Sequence, residues 1–371
     1  MKVGIITIQD NSNYGNRLQN YAVSEILKNY GMETVTVIVK NKEDFLSVDN
    51  KKKWIKRILP IRLIVVISKY KNKKKFQDLK RENKFKKFNQ KYINSKTYFI
   101  NQYSELLKIK KLQEYDYFFS GSDQIWNPYY AGDEIYFLTF VPRKKRIAFI
   151  ASIGVSELPE EKKDKYQLYL SQMKYISVRE EKAVHLIEEL VNRKVDCFLD
   201  PVFLLEKESW IKIIENIPFE IPSRFLLSFF LGEEPNAKIE KYANENNLSI
   251  IYMNNKKYRK YYSLNPAQLL YLIKNAEIIL TDSFHVTAFS IIFKKQFYVF
   301  KRKQEGVISM FSRMETLLSR FHLLDRIQDK VTIESKKDIS KADFENIEEE
   351  IKKERKRLEK TIYRICDLEE M

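Results

Sequence analysis

Cysteine is nearly absent. The chain has two in 371 residues, Cys197 and Cys366, far apart and without CxxC spacing. That excludes a disulfide framework and a zinc ribbon, fits a reducing cytosol, and leaves both thiols as small apolar residues expected in the core. No apolar run reaches the roughly 18 residues that span a bilayer. The opening "MKVGIITIQD" has no cleavable small-residue site, so neither export nor membrane spanning is expected. GxGxxG, a Walker loop, GxSxG and HExxH are all missing, as is any carboxylate pair at metal-ligand spacing beside a histidine. These absences argue against a bound dinucleotide, an NTPase, a nucleophile-elbow hydrolase and a zincin. There is no internal repeat and no low-complexity linker.

What is present is bulk and positive charge. At 371 residues and 44% hydrophobic, the chain exceeds the roughly 250–300 residues at which one core stops growing, so two domains are expected. The net charge is +17, and residues 51–96 hold 18 Lys and Arg against Asp78 and Glu82, or 18 − 2 = +16, which leaves the remainder near neutral. Three readings of this segment stand. It is a solvated helical excursion with its apolar face on the domain; or its Trp54-bearing stretch lies flat on an anionic membrane, each cation contributing about 1 kcal/mol near the surface; or its aromatics, Trp54, Tyr70, Phe76, Phe85 and Phe88, interleave with cations along a nucleic acid. No recognition motif supports the last, and nucleic acid is not expected as a partner.

The periodicity alternates. "VGIITI" reads as a strand, and a helix then carries Leu18, Tyr21, Ala22, Ile26 and Leu27 at helical spacing until Gly31 ends it. "TVTVIV" completes a β-α-β unit, followed after the basic segment by "YDYFFSGSD", "KRIAFIASIG" and "KYISVRE". A second series runs "VDCFLDP", "SRFLLSFFL", "LSIIYM", "AEIILTDS" and "KQFYVF". Alternation of this kind predicts parallel, doubly wound sheets. The expected organisation is an N-terminal Rossmann-like domain over 1–174, with a basic helical insertion at 51–96, and a C-terminal one over 175–371. Phe344, Ile347, Ile351, Leu358, Ile362 and Ile365 predict an amphipathic terminal helix over 341–370, whose seam is interrupted by Glu354 and Thr361.

Ligands of open α/β sheets bind beyond the carboxyl ends of the strands, and four loops there hold unusual residues. "DNSNYGNRLQN" offers Asn13, Asn16 and Arg17 at a helix start, where such residues also serve simply as caps. "FSGSDQIWNP" offers Asp123 as general base or sugar-hydroxyl ligand and Trp126 as a face for a sugar ring; the other reading is an Asx-type turn with a core tryptophan. "SVRE" ends in Arg179, suited to fork onto an anion or to pair with Glu180 or another acid. "TDSFHVTAF" sets His285, one of three histidines, at a helix start, where an anion meets a dipole and a titratable donor, or where the ring merely caps.

Taken together, "NYGNRLQNYAVSEILKNYG", "FFSGSDQIWNP", "YFLTFVPRKKRIAFIASIG", "ISVREEKAVHLIEEL", "LDPVFLL" and "IILTDSFHVTAFSIIFKKQF" resemble, in order, the polysaccharide pyruvyl transferase family. The resemblance implies a two-Rossmann, GT-B-like enzyme that moves pyruvate from phosphoenolpyruvate onto two sugar hydroxyls as a ketal, in the making of capsule or exopolysaccharide. By similarity His285 contacts phosphoenolpyruvate and donates the proton, and Arg179 binds it. Asp123 is assigned here as the base or an acceptor ligand. The acceptor side is expected from Asn13, Asn16, Arg17, Gln19, Ser122, Gln124, Trp126 and Asn127. Many family members carry Arg-Leu-His where this chain has Ser283, Phe284 and His285, so the missing cation is expected from Lys301, Arg302 or Arg313, with Ser283 on the donor. The scheme calls for no metal and no organic cofactor. The expected location is cytoplasmic, peripheral on the inner face of the membrane through 51–96, with a sugar acceptor that is lipid-linked or free. The alternatives are a GT-B glycosyltransferase using a nucleotide sugar and a non-catalytic membrane-surface scaffold.

Overall fold

The computed structural model describes residues 1–42, 73–129, 131, 133–302, 311–328, 333 and 337–368. The first sheet comprises β1 (Lys2–Ile6), β2 (Glu33–Asn41), β3 (Ser95–Ile100), β4 (Tyr117–Ser120), β5 (Arg146–Ala151), β6 (Tyr175–Val178) and β7 (Asp196–Cys197). They lie in the order 3-2-1-4-5-6-7, with every pairing parallel. The second sheet comprises β8 (Phe225–Phe229), β9 (Ser249–Tyr252), β10 (Ile278–Thr281), β11 (Gln296–Phe300) and β12 (Ile327–Gln328), in the order 12-11-10-8-9. It too is parallel throughout. The two Rossmann-like sheets expected from the alternation are therefore present.

The expected change of domain at residue 175 is corrected. "VDCFLDP", read as the first strand of the second series, pairs instead with β6, Ser177 opposite Asp196 and Val178 opposite Cys197. The first sheet thus continues through Cys197. A two-residue ladder has no pattern of its own from which sheet membership can be read.

Four helices position the site. Helix α1 (Tyr14–Asn29) begins at Asn13, whose side chain accepts from the Asn16 amide. It buries 13 of its 16 residues, polar Asn16, Arg17, Gln19 and Asn20 included, because it lies between the two sheets rather than on the surface. Tyr21 meets Trp210 at 5.5 Å and Trp210 meets Phe289 at 4.8 Å between ring centroids, so one core runs through both halves. Helix α2 (Lys73–Tyr92) is the described part of the basic segment. Gln77, Arg81, Phe85 and Phe88 form its buried stripe at spacings of four, four and three, the pattern of a helix lying on a core. Phe85 and Phe88 therefore offer no face to a nucleobase. Of the segment 51–96 on which the membrane reading rests, residues 51–72 lie outside the described residues.

Helix α3 (Phe284–Ile292) follows β10, and α4 (Lys341–Ile365) is the terminal helix. All six of the apolar positions expected in α4 are buried. Glu354 and Thr361 sit in the same buried face, Glu354 paired with Arg320 at 3.0 Å. The seam is used within the chain, and it touches both halves: Arg355 reaches the Phe203 and Leu205 carbonyls, while Lys294 pairs with Glu348. Cys366 is buried and Cys197 half-buried, both free, and burial pushes both thiols up, Cys366 to about 12. No described helix is long and apolar enough to cross a membrane.

Candidate active site

Each sheet has one place where the strand order reverses, between β1 and β4 in the first and between β8 and β10 in the second. Chains leaving neighbouring strands there diverge to opposite faces and open a crevice. The loops after β1 and β4 carry Asn13–Arg17 and Asp123, and the turn after β10 carries His285. The two crevices face each other, and these residues meet.

Asp123 holds a left-handed backbone conformation, φ 63°. Its carboxylate accepts from Asn16 Nδ2 at 2.6 Å and from its neighbour's amide, that of Gln124, at 2.9 Å. Burial alone would raise the Asp123 carboxyl; Arg179, His285 and these two hydrogen bonds outweigh it and hold the group below the usual range. Asp123 is therefore an ionised carboxylate at neutral pH.

Arg179 ends β6 with its side chain 1% exposed. It binds Asp200 directly and lies 3.7 Å from Asp123 and 3.8 Å from Glu180. Burial would strip its proton, but Asp200, Glu180 and Asp123 together raise it further. Of the two readings open in the sequence, pairing with acids is realised, while Nε and Nη2 of Arg179 are buried without a hydrogen-bond partner among the described residues. Asp200 is fixed in turn by capping the short helix Pro201–Leu204, accepting from Val202 N at 3.1 Å. Ser152 donates to Glu180.

His285 stands over the start of α1. A Cβ on Gly15 would overlap the imidazole, so glycine is required there for the second half to approach the first. Nε2 of His285 lies 3.9 Å from Asp200, beyond hydrogen-bond reach, and is buried with no partner among the described residues. Burial lowers its pKa; Asp200 and Asp123 pull it up, and Arg179 and Arg313 push it down, leaving it below 6.5. The ring is not a satisfied structural cap. It lines a cavity of about 350 Å³ together with Asn13, Gly15, Ser283, Arg81 and Asn254.

Other expected residues are placed elsewhere. Trp126 is fully buried, stacked on Phe137 at 5.7 Å and 7°, so the core-tryptophan reading holds and the sugar platform is corrected. Arg17, 1% exposed, bonds to Gln9 and to the Ile8 carbonyl, and burial lowers it to about 10. Gln19 bridges Thr7 and the Ser122 amide, and the Ser122 hydroxyl donates to Ile150 O. These three brace loops and present nothing to an acceptor. Asn127 is 2% exposed and caps Tyr129 N, and Gln124 packs with it against Gly154. Asn16 and Asn13 are at the site, Asn16 as the holder of Asp123. Of the expected replacement cations, Arg302 is 3.3 Å from Asp282 and Lys301 3.4 Å from Glu315. Arg313 lies over the Phe284 ring at 5.7 Å, in a second cavity shared with Arg179. Ser283 stands at the N-cap position of α3 without a side-chain capping hydrogen bond and lines the first cavity. Sequence reasoning missed Asp200, Glu180 as a site residue, and the whole contribution of α2.

The family model for polysaccharide pyruvyl transferase matches residues 13–304, a span that contains every residue of this cluster. The chain belongs to the polysaccharide pyruvyl transferase family. Membership makes it a transferase of polysaccharide biosynthesis. No curated protein matches its sequence significantly. Among solved structures it is similar to UDP-GlcNAc 2-epimerase from Neisseria meningitidis bound to UDP-GlcNAc, at 12% identity and TM-score 0.49 over 100% of this chain and 95% of that one. It is also similar to the S. aureus MnaA-UDP co-structure (15%, TM-score 0.45, 88% of this chain and 90% of that). Likeness this distant says nothing of the ligand this pyruvyl transferase family member takes.

Proposed function

We propose that this chain transfers pyruvate from phosphoenolpyruvate to a pair of sugar hydroxyls. His285 gives a proton to the methylene carbon, C3, so that C2 becomes oxocarbenium-like. One sugar hydroxyl adds to C2, the C2–O bond to phosphate breaks, and the second hydroxyl adds to close the ketal. Phosphate leaves carrying the proton of one hydroxyl, and Asp123 accepts the proton of the other, which restores protonated His285 for the next turnover. The observation that carries this reading is the unpartnered, buried Nε2 of His285 beside the ionised Asp123, within the span of the family match. This addition needs a proton donor and a proton acceptor in one site; both groups lie below their ordinary values, so the donating form of His285, the imidazolium, is favoured as pH falls. In this reading Arg179 positions Asp123 and Asp200, and the acceptor is a sugar diol of the cytoplasmic side, lipid-linked where 51–96 meets an anionic membrane.

Donor identity is tested by thermal shift. Phosphoenolpyruvate at saturating concentration is expected to raise the melting midpoint and nucleotide sugars to leave it unchanged, since only a ligand of the folded state stabilises it. Stabilisation by nucleotide sugars alone would give the site to glycosyl transfer instead.

A further inference from the structure

Arg81 sits on α2, in the segment inserted between β2 and β3. It is 8% exposed. Its guanidinium lies between the rings of Tyr14 (4.7 Å), Tyr262 (4.8 Å) and Phe85 (5.6 Å). Nη1 donates to Asn254 Oδ1 and Nη2 to the Ser12 carbonyl, both at 2.8 Å. Nε is buried with no partner. Among the described residues no carboxylate lies within ion-pair distance, and in this Arg81 differs from Arg179, Arg302 and Arg320, each of which has one. Asp78, one turn earlier on α2, is taken by Lys256 at 2.9 Å and by the Tyr262 hydroxyl at 2.8 Å.

Burying a cation is unfavourable unless an anion accompanies it. Arg81 opens onto the same cavity of about 350 Å³ as His285, Ser283, Lys256 and Asp10. The cavity also holds the first turn of α1, whose free amides add partial positive charge. Ser283 brings no charge where an arginine is common in the family, and Arg302 and Lys301 are occupied by acids. We infer that Arg81 is the anion-binding cation of this cavity, receiving a phosphate or carboxylate group so that the inserted helix, not the turn after β10, supplies the charge. For phosphoenolpyruvate this rests on the pyruvyl-transfer reading; for the anion site itself it does not.

The test is isothermal titration of full-length wild type, Arg81→Met and Arg81→Lys with inorganic phosphate, phosphoenolpyruvate and UDP. Wild type is expected to bind phosphate, Arg81→Met to bind it at least tenfold more weakly, and Arg81→Lys to fall between. Arg81-dependent binding of phosphate or UDP without binding of phosphoenolpyruvate upholds this inference and overturns the pyruvyl reading. Phosphoenolpyruvate binding and turnover that Arg81→Met leaves unchanged upholds that reading and overturns this one. No phosphate or phosphoenolpyruvate binding by wild type also overturns the inference. Should Arg81→Met fail to fold, wild-type crystals soaked in phosphate decide: an anion at hydrogen-bond distance from the Arg81 guanidinium is the expected result, and an anion only elsewhere contradicts it.

Discussion

Replacing Arg179 removes the cation that Asp123, Glu180 and Asp200 share. Breaking a buried pair by deleting one partner costs about 3–5 kcal/mol, so Arg179→Met is expected to lower the thermal midpoint markedly at pH 7. In the native chain Asp123 titrates below its ordinary value, so its contribution to stability is present above the unfolded carboxyl pKa and is lost as pH falls through the folded one. Without Arg179, burial, the largest influence on this carboxyl, raises it instead. The variant's deficit is then greatest at neutral pH and shrinks toward pH 4, where the carboxyl takes up a proton. Thermal melts of both proteins at pH 7 and pH 4.5 check this; an equal deficit at both would separate Arg179 from Asp123. Loss of activity in an Arg179 variant is accordingly not evidence that the residue touches substrate.

At the scale of elements, α2 joins the two halves. Lys91 and Tyr92 reach Glu215, at 2.9 and 3.1 Å, and Arg81 reaches Asn254. Phe85 is fully buried in the shared core while Lys80 is exposed. Phe85→Ala is expected to cost about 3–5 kcal/mol and Lys80→Ala to stay within about 0.5 kcal/mol, measured by chemical denaturation; equal, small effects would mean that α2 does not dock. Much of this level was legible in the sequence. Period-2 and period-3.6 runs located β1, α1, β2, β10 and α3, and Gly31, at φ 73°, does end α1. The basic segment was legible only as a charge run, because the stripe Gln77, Arg81, Phe85 and Phe88 is half polar and crowded by lysines. Trp126 and the pair Asp196–Cys197 were misread for a related reason. Whether an aromatic in a loop faces solvent or core, and which sheet a two-residue strand joins, depends on contacts distant in sequence.

For the whole molecule, two parallel sheets set their switch points face to face, and α1, α2 and α4 hold them there. The position of His285 and Asp123 at this junction follows from strand order, and the loops carrying them could be picked out from the sequence. What could not be picked out was the balance of charge. The site is rich in carboxylates, and Arg81, which has none within ion-pair distance among the described residues, arrives from the insertion. The central claim is that His285 protonates an enol ester there, and it is tested most directly by following phosphate release from phosphoenolpyruvate with a panel of free, nucleotide-linked and lipid-linked sugars. General acid catalysis is worth roughly 10²–10⁴-fold. Wild type is expected to release phosphate in step with ketal formation, and His285→Gln, with an unchanged circular dichroism spectrum, to be at least about 100-fold slower. Equal rates in the two proteins would contradict the account.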